Sequence, residues 1–192
     1  MQQRKVVFIA GVLLLAIMVA GCVGPDSVST GPAPTTGSDQ TAPPEEEAGS
    51  DLVTAGMNEA LVVTSGQKTF EITVLEVIRG RQANNLIQEG NMFNSEPDAG
   101  FEYLLVKVRK RFASGDGSEY TSSYEYQVYV EGAGNGPSFV VLPRTHADYK
   151  GTTLIRGGSA EGWLVFQVPV GKEAMLAYTS LFGGPAGFIR LS

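Results

Sequence analysis

Within its 192 residues the chain holds a single cysteine, a single histidine and a single tryptophan. One cysteine allows no internal disulfide, so the fold must rest on its apolar core. One histidine cannot assemble a zinc site without thiolate or further imidazole ligands. Basic residues are scarce as well: 14 against 20 acids, a net charge of -6. Such a balance gives no electrostatic footprint for nucleic acid. Bases are missing altogether from Cys22 to Asp51, where Asp26, Asp39, Glu45, Glu46, Glu47 and Asp51 make an acidic stretch. The acidity therefore belongs mostly to a tail, because from Leu52 onward 12 bases face 14 acids. No Asn-x-Ser/Thr glycosylation sequon occurs.

The N-terminus carries an address. Met1–Lys5 is polar and basic, and the 15 residues Val6–Ala20 that follow hold no charge. That run is shorter than the ~20 residues a membrane-spanning helix needs, and its layout is that of a signal peptide, residues 1–21. It ends in Val19-Ala20-Gly21-Cys22, which resembles the lipobox of prokaryotic lipoproteins. The resemblance implies cleavage between Gly21 and Cys22 and a diacylglyceryl thioether on Cys22. Two acyl chains, at ~0.8 kcal/mol per buried methylene, hold a protein lastingly to a membrane. The partner implied is the outer face of the cell membrane, or of an outer membrane where there is one. Residues 22–51 then form a linker rich in Pro, Ser, Thr, Gly and acid. Too few large apolar side chains are present to offset the entropy of ordering, so the expectation is a disordered stalk spanning roughly 30 Å.

From Leu52 to Ser192 the pattern turns to period two. Leu61–Val63 is apolar, and Phe70, Ile72, Val74 and Ile78 alternate with polar residues, although Glu76 interrupts the face. Arg81–Gln88, bracketed by Gly80 and Gly90, is the one helical candidate. Leu104, Val106, Val108 and Phe112 share a face, with Lys107, Arg109 and Arg111 opposite. Tyr120–Glu131 reads as the next strand after turn-forming residues Ala113–Glu119. A hairpin centred on Asp116 would set Val108 against Tyr124, Val106 against Tyr126, Lys107 against Glu125 and Tyr103 against Tyr129, matching apolar faces and pairing a charge. Further strands are expected at Ser138–Leu142, Trp163–Val168, Ala174–Tyr178 and Phe188–Leu191. About seven short antiparallel strands separated by Gly- or Pro-rich turns predict an all-β sandwich or barrel.

Two stretches resemble a known family. Gly100-Phe101-Glu102-Tyr103-Leu104-Leu105-Val106-Lys107-Val108 and Gly162-Trp163-Leu164-Val165-Phe166-Gln167-Val168-Pro169 look like recurring strands of the domain of unknown function 4352 family, also called telomeric-repeat-binding-factor-2-like, of prokaryotic secreted lipoproteins. Val77-Ile78-Arg79-Gly80 is similar to the end of its early strand. The resemblance spans about Ala60–Leu191. It implies an immunoglobulin-like β-sandwich similar to immunoprotective extracellular proteins, and it brings no catalytic residue.

Catalytic and metal constellations are thin. His146 stands in an isolated His-x-Asp with Asp148. Gly157-Gly158-Ser159-Ala160-Glu161 puts Glu161 where a nucleophile elbow needs its second Gly. Gly132–Pro137 lacks the Lys and helix of a phosphate loop. Asp116 and Glu119 are too few for a calcium loop. Glu71, Glu76 and Glu125 fit solvated strand faces better than a pair of glycosidase carboxylates. No cofactor or metal is expected. The sharpest surface feature is the basic row Lys107, Arg109 and Arg111, ~6.8 Å apart along one strand face and flanked by Tyr103 and Tyr129. It reads either as a face for an acidic envelope protein or glycan, or as charge that pairs across strands and protects the sheet.

The sequence thus predicts a lipid-anchored, extracytoplasmic and non-catalytic binding module. A structural component of the envelope is the alternative and an enzyme comes third. Replacing Cys22 by Ser is expected to leave full-length precursor or soluble, unacylated protein. Mass spectrometry of the mature N-terminus checks it, and a Cys22 without acyl mass overturns the anchor.

Overall fold

The computed structural model describes residues 27–29, 52–179 and 184–192. The expected signal peptide, Gly21–Cys22 cleavage site and Cys22 acylation, and most of the expected stalk, lie outside these residues. Twelve strands are present among the described residues. In chain order they are β1 (Ser27–Ser29), β2 (Thr54–Ala55), β3 (Ala60–Ser65), β4 (Lys68–Arg79), β5 (Phe101–Ser114), β6 (Ser118–Thr121), β7 (Tyr126–Val130), β8 (Ala133–Asn135), β9 (Thr152–Ile155), β10 (Ser159–Pro169), β11 (Met175–Thr179) and β12 (Pro185–Arg190). One helix, α1 (Gly80–Gly90), covers the predicted Arg81–Gln88.

Two five-stranded sheets in the orders β1-β3-β4-β5-β10 and β2-β12-β11-β7-β8, with a β6–β9 ribbon, make an antiparallel sandwich. The short β2–β12 pair is the parallel exception. More strands appear than the seven expected because several are two- or three-residue edge pieces too short to leave a period in the sequence. One of them lies within the expected stalk: Ser27–Ser29 pair with β3 at Val62–Thr64.

β5 is the spine of the first sheet, paired with β4 on one side and β10 on the other. Leu104, Val106, Val108 and Phe112 face inward as their parity predicts, and all are fully buried. On β4 a bulge between Val74 and Glu76 inserts Leu75. The extra residue flips the parity, so Phe70, Ile72 and Val74 point into the sandwich while Ile78 points outward. The interruption at Glu76 is that bulge.

Sheet one is apolar on both faces at one end. Its outer face carries Tyr103, Leu105, Trp163, Val165 and Ile78, covered by Ala83 and Ile87 of α1 and by Leu142. The rest of that outer face is ionic: Lys107 and Arg109 reach Glu161 at 3.0 and 2.7 Å, and Arg111 reaches Glu71 at 3.0 Å.

The expected β5–Tyr120–Glu131 hairpin does not form. Ser122, Ser123, Tyr124 and Glu125 make a capping box, with the Ser122 N–H donating to Glu125 Oε2. The resulting 3-10 turn breaks the run between β6 and β7 and delivers β7 to the second sheet beside β11. Tyr124 is consequently exposed on the turn, Glu125 does not meet Lys107, and Tyr103 and Tyr129 lie in different sheets. Ser138–Leu142, expected as a strand, forms none and joins no ladder. Prolines 137 and 143 bracket it, and its ties are Ser138 N–H to the Val165 carbonyl and Val141 to the Asn94 side chain.

The core contains a charge that the apolar pattern hides. Lys110 shares the inward parity of Val108 and Phe112 and is 0% exposed. Its ammonium donates to Glu125 Oε1 and to the Tyr178 hydroxyl, each at 2.8 Å, and lies 4.7 and 4.8 Å from the Phe70 and Tyr178 ring centres. Glu125, expected on a solvated face, is buried instead. A hydroxyl chain runs to its other oxygen, from Tyr126 to Tyr149 to Thr121 to Glu125. Burial holds Lys110 below the usual lysine range, with Glu125 pulling it back up. Burial also pushes the hydroxyls of Tyr126, Tyr149 and Tyr178 up, which keeps them neutral donors.

Removing one partner leaves the other charge buried and alone. Lys110→Met or Glu125→Gln is therefore expected to cost about 3–5 kcal/mol. The double variant should recover much of the loss, and urea denaturation with a double-mutant cycle reads both. A single variant within ~0.5 kcal/mol of wild type, the range of neutral surface changes, would show that the pair is not what ties the sheets.

Trp163, 6% exposed in the outer layer, gives a second expectation. Trp163→Ala should cost about 3–5 kcal/mol, whereas Lys107→Ala or Arg109→Ala, in half-exposed pairs, should stay within ~1 kcal/mol. Chemical denaturation of the three variants checks the ordering.

Candidate pocket at the β10 edge

β10 is an edge strand of sheet one, and two segments cross its outer side. Ala147–Tyr149 bonds to it through Trp163 N–H to the Ala147 carbonyl, and Tyr149 N–H to the Trp163 carbonyl, at 3.0 and 2.9 Å. Asp148 and Trp163 form a parallel bridge, so the carboxylate and the indole project to the same side. Gly162 makes the crossing possible: a Cβ there would run into the backbone of Asp148 and Tyr149. Further along the strand, Ser138 docks on Val165. Between these segments lies a pocket of about 380 Å³, within the size range of small-molecule sites.

Its apolar lining comes from Trp163, Leu164 and Val165 of β10, from Tyr149, and from Phe139, Val140 and Val141. Ser123, Ser138, Asn94 and Asp148 supply the polar groups. Phe139 is 83% exposed, and its ring lies 6.3 Å from that of exposed Tyr124 on the rim. Phe93, 85% exposed, precedes Asn94, whose amide clamps both N–H and C=O of Val141. His146 packs its ring 5.0 Å from Trp163. Partial burial pushes the Asp148 carboxyl up, and Lys150 nearby pulls it back down.

The pocket is tied to the core network. Tyr149 lines it and also donates to Thr121 beneath. Ser123 lines it from the same turn that presents Glu125 to Lys110. The wall is thereby fixed by groups buried in the sandwich.

The speculative basic face is not assembled as expected. Lys107, Arg109 and Arg111 do share the outer face of β5, but Glu161 and Glu71 neutralise them. Hydrogen bonds from Arg109 and then Lys107 hold Glu161 below the usual carboxylate range. Tyr103 is buried beneath the helix layer and donates to the Ser95 carbonyl at 2.9 Å. Tyr129 sits on sheet two against Phe188, with ring centres 5.3 Å apart. Gly21 and Cys22 lie outside the described residues. Sequence reasoning missed the pocket because its walls come from an irregular segment and a crossing loop. The signals it could have used were Gly162 beside the lone Trp163 and the Ser122–Glu125 capping box. Among the described residues no group of three or more His, Cys, Asp or Glu side chains is placed to hold a metal.

The two stretches that carry the family resemblance are neighbours here: Phe101–Val108 pairs with Gly162–Pro169 along the β5–β10 ladder. No family model matches the chain, and no curated protein does. Among solved structures, the secreted protein MPT63 of Mycobacterium tuberculosis is similar at 12% identity and a TM-score of 0.52, over 74% of this chain and 99% of that one. The ycdA protein of Bacillus subtilis, provisionally described as a lipoprotein, is 17% identical with a TM-score of 0.49 over 67% of this chain, which spans 39% of that protein. The yjhA protein of Bacillus subtilis is 19% identical with a TM-score of 0.44, over 65% and 79% of the two chains. At these identities the likeness is one of fold: the chain shares an all-β sandwich with MPT63.

Proposed function

We propose that the chain is an exported, lipid-anchored binding module that holds a small ligand in the β10-edge pocket without catalysing a reaction. The single observation that carries the binding reading is the pocket itself: apolar walls, four polar groups, and the exposed aromatic pair Phe139 and Tyr124 beside it. Exposed apolar side chains that adjoin one another, unlike scattered single ones, mark interaction sites. The address rests on the Val19–Cys22 lipobox resemblance and fits a fold shared with a secreted protein. Kinship with the domain of unknown function 4352 family belongs to the same reading and rests on the paired β5 and β10 stretches. The non-catalytic reading rests on the pocket's composition. It has one carboxylate and the hydroxyls of Ser123 and Ser138, that of Tyr149 belonging to the buried chain, and no histidine is among its lining residues.

The test material is the mature chain from residue 22 onward, made with Cys22→Ser for solubility. A fragment library is expected to shift the amide signals of Ser138–Val141 and Asp148 and the indole signal of Trp163. Phe139→Ala, at an exposed site, should leave the melting temperature within a few degrees and weaken those fragments about tenfold. Shifts that map elsewhere, or that ignore Phe139→Ala, overturn the pocket as the binding site.

A further inference from the structure

We infer that the pocket selects a ligand carrying an alkylammonium group, with Asp148 as its counter-charge and the faces of Trp163 and Phe139 as its apolar and π contacts. This rests on the pocket being a binding site and adds the chemistry of what enters it. Asp148 is the one ionisable carboxylate among the lining residues, and no Lys or Arg lines the pocket. The basic row of β5 does not compensate, since Lys107 and Arg109 are committed to Glu161. An anionic ligand would thus meet a carboxylate with no lining cation to offset it.

An ammonium finds the opposite. The Asp148–Trp163 bridge places carboxylate and indole side by side, and Phe139 lines the same pocket. Carboxylate and aromatic faces together attract a cation, more strongly where water is partly excluded. Asp148 feels that exclusion as a carboxyl pushed up by burial, with Lys150 the one nearby base acting on it. The hydroxyls of Ser123 and Ser138 offer oxygen acceptors for further N–H groups. The apolar wall of Val140, Val141 and Leu164 suits the hydrocarbon part of the ligand. At about 380 Å³ the space suits a small amine rather than a folded partner.

The test compares n-butylammonium, n-butanol and butyrate, which share a chain and differ in charge, by NMR titration of the Trp163 indole and Ser138–Val141 amides. The expected result is binding of the ammonium about tenfold tighter than the alcohol, a difference of about 1.4 kcal/mol, with butyrate weakest. Asp148→Asn should bring the ammonium to the level of the alcohol and leave the alcohol unchanged. If the alcohol or butyrate binds as well as the ammonium, or Asp148→Asn leaves the preference intact, the pocket binds ligands but the cation assignment falls. If none of the three moves the pocket signals, while denaturation shows a folded protein, both the assignment and the pocket reading fall.

Discussion

The Lys110–Glu125 ion pair is the constraint around which the sandwich is arranged. Two charges withdrawn from water cost several kcal/mol each and are tolerated only with tight geometry and filled hydrogen-bonding capacity. Here Lys110 comes from β5 of sheet one, Glu125 from the 3-10 turn and Tyr178 from β11 of sheet two, while Thr121 comes from the β6–β9 ribbon. Every layer contributes, so the sheets must sit in one relative position for the charges to be satisfied. Thr179 adds a hydroxyl bond to the Glu125 carbonyl. An apolar core of the same volume would tolerate more than one packing, whereas a polar network that must be fully satisfied leaves little freedom.

That demand reaches the surface through Tyr149. Its hydroxyl belongs to the buried chain and its ring to the pocket wall. Its backbone crosses β10 at Gly162, where no side chain obstructs it. The crossing also covers an open edge of sheet one, which otherwise presents unpaired N–H and C=O groups to any passing strand. Edge protection and pocket construction are therefore one feature. The site stands on a crossing fixed at both ends by hydrogen bonds, which favours a preformed cavity over one moulded by its ligand.

Charge on the outer face of sheet one is neutralised locally. Lys107 and Arg109 converge on Glu161, and Arg111 on Glu71. Pairs this exposed contribute little to stability, but they cancel the field that a free basic row would project. In the pocket, by contrast, the Asp148 carboxylate shares the lining with Phe139, Tyr149 and Trp163 and has no base among the lining residues.

The β class, the inward residues Phe70, Ile72 and Val74 of β4, the apolar inner face of β5 and the helix between Gly80 and Gly90 were legible in the sequence, because side-chain parity and glycine punctuation are local, whereas the bulge that turns Ile78 outward was not. The sequence also pointed to the N-terminal address, through the basic start, the uncharged run and Val19–Cys22. Pairing was decided by tertiary structure. Coincident apolar faces and a Lys107–Glu125 match suited a β5–β7 hairpin, yet any strand with an apolar inner face suits β5 equally, and the Ser122–Glu125 capping box diverted the chain. Lys110 was invisible for a related reason: a lysine at a core parity is legible as an anomaly only once a buried carboxylate stands opposite it. The pocket depended on contacts of the same kind: the crossing at Gly162 sets Asp148 beside Trp163, and the Ser138–Val165 bond brings in Phe139, neither of which leaves a periodic pattern.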